Sequence, residues 1–122
     1  MTYASYERQH LAMYAAGFIS GDGLTRQGFG CELTRVGTGV YAIVLGADAG
    51  LVSDESYTFV TAKTQLGTSG APRTLLSVED TSNLVKTIFA SGVSFAAAGI
   101  TIARTNVDLE VALYRTVTRQ NV

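Results

Sequence analysis

Tryptophan is missing from this chain of 122 residues, and cysteine, proline and histidine occur once each, as Cys31, Pro72 and His10. A single thiol excludes an intrachain disulfide, and one thiol beside one imidazole cannot make a Cys-based zinc site. Charge is scarce too: 16% of residues are charged and 47% hydrophobic, against roughly 25% charged in ordinary soluble domains. Nine basic and ten acidic residues leave a net charge of -1, which offers no electrostatic footprint for nucleic acid and no basic patch for anionic lipid. No apolar run approaches the roughly 20 residues of a membrane helix. A basic segment followed by an apolar one is not found after Met1, so no secretory leader is expected and synthesis in a reducing cytoplasm is.

The surface left by so few charges must be rich in Thr, Ser and Gly or be covered by a partner. Thirteen glycines punctuate runs of two-residue period. The central stretch is Gly28–Leu45, GFGCELTRVGTGVYAIVL. In it Phe29, Cys31, Leu33 and Arg35 share one parity, Gly37-Thr38-Gly39 forms a tight turn, and Val40–Leu45 returns as a nearly all-apolar strand. This hairpin is expected at the middle of the fold. Cys31 is read as a small buried hydrophobe.

Before the hairpin, Leu11–Ile19 is read as a strand, Ser20-Gly21-Asp22-Gly23 as a turn and 25–28 as a polar connection. After it come strands over 56–65, 73–79, 84–90, 100–104 and 107–117, with a break at Gly92 and a flexible connection within 93–99. The last strand alternates most cleanly, with Val107, Leu109, Val111 and Leu113 inward and Asp108, Glu110, Ala112 and Tyr114 outward. About eight strands separated by turns predict an all-β fold, an antiparallel β-sandwich or jelly-roll-like barrel. The domain is expected over 11–118, after a short N-terminal arm (1–10) and before a polar tail (119–122). Tyr3, Tyr6, His10 and Met13 suit one face of a short helix or an extended arm, and Tyr3, Tyr6, Arg8 and His10 are candidate anchors to a partner. The loop LGTSGAP supplies a second candidate contact at Thr68, Ser69, Pro72 and Arg73.

Catalytic chemistry finds little support. His10 has no nucleophile at a telling spacing, and Asp22 among glycines lacks the ligand set of a calcium loop and reads as a turn residue. Neither glycine-rich segment opens a helix after a strand, as a phosphate cradle requires. The pairs Asp54-Glu55 and Glu79-Asp80 sit at strand boundaries, where carboxylates are ordinarily solvated. No enzyme activity, metal or cofactor is expected.

Ala16-Gly17, the hairpin residues Thr34, Arg35, Gly37, Gly39, Val40 and Tyr41, and the closing Leu113-Tyr114-Arg115 together resemble a β-domain widespread in virion proteins of tailed bacteriophages. The resemblance spans about residues 11–116. It implies a viral structural protein of tail fibres, head fibres or capsid decoration, commonly trimeric. The short chain, with Met1 about ten residues before the first strand, favours a decoration or cement protein that trimerises and bridges major capsid proteins on the phage head. The alternative is a receptor- or carbohydrate-binding fibre module, with Tyr57 or Tyr114 stacking on a host surface glycan. In either case the expected location is the virion.

Overall fold

The computed structural model describes residues 7–46, 56–63, 73–82 and 84–120. They form nine strands: β1 (Glu7–Ile19), β2 (Arg26–Phe29), β3 (Cys31–Gly37), β4 (Val40–Leu45), β5 (Ser56–Lys63), β6 (Arg73–Asp80), β7 (Val85–Ala96), β8 (Gly99–Arg104) and β9 (Asp108–Gln120). The protein is all-β. One antiparallel sheet runs β2-β1-β9-β5, and the other runs β3-β4-β7-β6 with β8 also paired to β7. The two sheets pack face to face as a β-sandwich.

Alternation decides which side chains meet between the sheets. Ala15 and Ile19 from β1 and Leu109, Val111 and Leu113 from β9 face Leu33, Tyr41, Ile43, Leu45, Ile88 and Ala90 of the other sheet, all buried in one cluster. The inward set expected for the last strand is therefore the observed one, with Val107 packed at its margin. Burying such side chains is worth roughly 1.5–3 kcal/mol each, and this supplies most of the force that joins the layers.

Glycine enables the passage from one sheet to the other. Gly30 separates β2 in the first sheet from β3 in the second and has φ +70°. A Cβ there would stand 2.5 Å from the Tyr14 carbonyl oxygen, so this crossing tolerates no side chain.

Three expectations need correction. The polar connection at 25–28 contains β2, which pairs with β1 from Ala16↔Phe29 to Ile19↔Arg26. All four of its residues are exposed, so no buried face stamped a period on it. β7 runs unbroken through Gly92, because that residue is held on both sides, opposite Thr74 of β6 and Ala103 of β8. The segment 93–99 is the end of β7 and the turn of a tight hairpin, closed by Ala96↔Gly99. Of the two forms left open for the N-terminal segment, helix or extended, the chain takes the extended one from Glu7 onward.

The central hairpin is only half central. β4 is interior, between β3 and β7, while β3 is an edge strand. β1 crosses the expected arm boundary at residue 10 and β9 continues to Gln120, the two pairing from Glu7↔Gln120 onward.

Candidate functional site

Three of the residues carrying the resemblance, Arg35, Gly39 and Tyr41, meet in a polar lock at one end of the sandwich. Tyr41 is fully buried. Its hydroxyl donates to the Gly21 carbonyl at 2.8 Å and accepts from the Val107 amide at 3.1 Å. Asn106 Oδ1 accepts from the Gly39 amide at 2.9 Å and from Arg35 Nε at 3.2 Å. Asp108 Oδ1 accepts from the Gly21 amide at 2.7 Å. Gly39 has φ +67°, and a Cβ there would lie 2.4 Å from the Ala90 carbonyl oxygen. Arg35, Gly39 and Tyr41 thus tie the β3–β4 turn to the β1–β2 turn and to the entrance of β9. Their work is structural: they satisfy buried backbone groups that would otherwise be costly. Burial pushes the Tyr41 phenol above its ordinary pKa of 10.0.

Asp22 is likewise used within its turn. Its Oδ1 accepts from Ser20 Oγ at 2.6 Å and from the Leu24 amide at 3.0 Å, and these bonds hold its carboxyl below the ordinary 3.8. Cys31 is partly buried, its Sγ 3.6 Å from the Ala16 carbonyl oxygen, and desolvation raises its thiol above 9.0. Asp80 pairs with the buried Lys86 at 2.5 Å. Asp54 and Glu55 lie outside the described residues. Among the described residues no group of three or more His, Cys, Asp or Glu is placed to hold a metal ion, and no buried side-chain polar atom lacks a partner.

The chemistry that stands out is apolar and lies on the outer faces. On the β2-β1-β9-β5 sheet, register places three rows outward. The first is Met13, Tyr114 and Tyr57. The second is Phe29, Ala16, Ala112 and Phe59. The third is Gln27, Phe18, Glu110 and Thr61. Small Ala16 and Ala112 lie between two phenylalanines three strands apart, about 14 Å at the usual strand spacing, so the middle row is a groove. Its β2-β1-β9 part is an open depression of roughly 530 Å³ lined by Met13, Phe18 and Phe29, with Glu110 its one charged lining residue, and Phe59 stands beyond Ala112 on β5. Phe29 is 63%, Phe59 52% and Tyr57 50% exposed. Phe59 meets Tyr114 edge to face at 5.4 Å, an arrangement that suits aromatic quadrupoles.

The second apolar surface is the β7–β8 hairpin and the adjacent part of β6. Ser94, Phe95, Ala96 and every residue of β8 are exposed, so the tip extends past the cover of the opposite sheet. Cross-strand pairs Phe95↔Ile100 and Val93↔Ile102 give it one apolar face, with Leu75 of β6 on the same side, opposite Ser91. Phe95 is 62%, Ile100 64%, Ile102 61% and Leu75 53% exposed. At the base, Arg104 lies over the Phe89 ring at 4.7 Å and donates to Ser91 Oγ at 2.6 Å.

Tyr3, Tyr6, Thr68, Ser69 and Pro72 lie outside the described residues. Arg8 and His10 are in β1 opposite Arg119 and Val117, and Arg73 opens β6 opposite Val93. Tyr57 and Tyr114 are brought together as direct cross-strand partners. Sequence reasoning missed the groove and the hairpin face. The available signal was the charge-free run Ser91–Ala103, whose apolar residues fall on both parities.

Comparison with protein-family models, curated proteins and solved structures finds no match.

Proposed function

We propose that this protein is a non-catalytic structural subunit of a tailed-phage virion: a capsid decoration protein that self-associates, as a trimer, and stabilises the head by bridging major capsid proteins. The observation that carries the reading is the exposure of large apolar side chains on the outer faces of both sheets, in a chain with few charges. Monomeric domains keep contiguous apolar patches small, and large ones mark interfaces. The motif resemblance supplies the viral setting, and the use of the motif residues as a structural lock fits a scaffold role. Repetition over a closed shell multiplies even a modest contact, and apolar burial contributes about 25 cal/mol per Å².

The test is reconstitution. Purified protein added to heads of the encoding phage assembled without it should co-sediment with them at saturable stoichiometry and raise their resistance to heat. Heads that neither bind the protein nor gain resistance would reject decoration.

A second reading is favoured by the Tyr57–Tyr114–Phe59 cluster: a glycan-binding fibre module that stacks sugar rings on this exposed aromatic edge. Saturable binding to host surface polysaccharide, lost in Tyr57→Ala and absent for heads, would select it.

A further inference from the structure

We infer that the two apolar surfaces are the two halves of one contact: the β7–β8 hairpin face of one copy seats in the Phe29–Ala16–Ala112–Phe59 groove of the next. This rests on the self-association proposed above and names the surface that performs it. The hairpin is built as the inserting part. It leaves the sandwich at Ser94, and β8 is exposed along its whole length. Ser91–Ala103 carries no charge, and β8 lacks the lysine, proline or bulge with which edge strands usually discourage pairing. The groove is built as the receiving part, with alanines on its floor and aromatic walls rising around it.

Area and charge both favour this pairing. Allowing about 150–200 Å² for a fully exposed large side chain, Leu75, Phe95, Ile100 and Ile102 offer on the order of 400 Å² of apolar surface at their observed exposures. On the same allowance, Leu11, Met13, Phe29, Tyr57 and Phe59 offer roughly 500 Å². Apolar atoms make up about 60% of an interface, so joining the two surfaces buries about 1,500 Å² in all, the standard size of a stable specific complex. Arg104 stands at the base of the hairpin and Arg73 is paired with Val93 beside it, while Glu110 lines the groove, so the charges named on the two surfaces are opposite in sign. A two-fold pairing of like surfaces covers one patch and leaves the other in water, whereas this contact covers both. Joining unlike surfaces is heterologous, and such contacts generate closed rings when the rotation closes. A rotation of one third of a turn per contact closes such a ring at the three copies proposed above.

The test is complementation between two variants whose changes lie on the outer faces of the sheets, outside the core cluster. Ile100→Lys blocks the hairpin, and Ala112→Arg fills the groove floor. Sedimentation velocity, with circular dichroism confirming the fold, should show each variant alone as a monomer. Their equimolar mixture keeps one intact hairpin and one intact groove per pair and should form a heterodimer that goes no further. If the parent is oligomeric and either variant stays so, or the mixture remains monomeric, this pairing is overturned while self-association stands. A parent monomeric at high micromolar concentration overturns both.

Discussion

Replacing Tyr41 by Phe removes one oxygen from the centre of the polar lock, and the structure fixes what that oxygen does. The phenol hydrogen goes to the Gly21 carbonyl at 2.8 Å, and the oxygen takes the Val107 amide at 3.1 Å. Gly21 is buried and Val107 half-buried, so water cannot fully replace either bond. A backbone group stranded in this way costs about 1–3 kcal/mol, which puts the loss for the pair at roughly 3 kcal/mol. For a domain of this length that corresponds to a fall in Tm of about 10 °C. Equilibrium urea unfolding followed by circular dichroism measures it, at one fixed protein concentration so that the self-association proposed above does not enter the comparison. Tyr57→Phe, on a half-exposed ring, is the control and should stay within about 0.5 kcal/mol of the parent. A Tyr41→Phe variant as stable as that control would refute the claim that the lock holds the turns to the sandwich.

Other expectations follow from the same geometry. Gly39→Ala should destabilise by at least about 2 kcal/mol, since it combines positive φ with a clash against backbone, whereas Gly37→Ala, whose Cβ meets nothing within 4 Å, should change stability by less than about 1 kcal/mol; thermal melts of the two distinguish them. Asp80→Ala should cost more than Lys86→Met in urea titrations, because Lys86 is the buried partner and Asp80 the exposed one, and a buried charge without its partner is the costlier residue to leave behind. At alkaline pH the unfolded chain loses the Cys31 and Tyr41 protons near 9.0 and 10.0 while the folded chain retains them to higher pH. The folded state then binds more protons, so stability is fully present below about pH 9 and declines as pH rises through the two raised values. The decline should be shallower in Tyr41→Phe. Asp22 acts in the opposite direction: its lowered carboxyl adds stability above the ordinary 3.8 that is lost as pH falls, which Asp22→Ala should remove from the acid limb of the profile.

The strands with one wet and one dry face were legible from residues alone. In β9, Leu109, Val111 and Leu113 are buried while Glu110 is exposed, so the alternation records the environment directly. β4 was legible from its apolar run and from the glycines before it. β2 was not, because a strand exposed at all four positions has no environment to encode. The β7–β8 tip was misread for a related reason: Gly92 and the alanines at 96–98 look like breakers when read locally, and only the paired strands on either side make Gly92 a strand residue. The lock was visible as a string of residue types, yet its meaning depended on Asn106 and Gly21, more than 60 and about 20 positions from Tyr41. The groove needed three strands aligned in register before Ala16 and Ala112 became neighbours, and no linear pattern announces that.

The most direct test of the account is the mass of the unmodified protein in solution, by sedimentation velocity across micromolar concentrations. The account predicts a closed assembly of three chains that dissociates on dilution. A single chain at every concentration would contradict it.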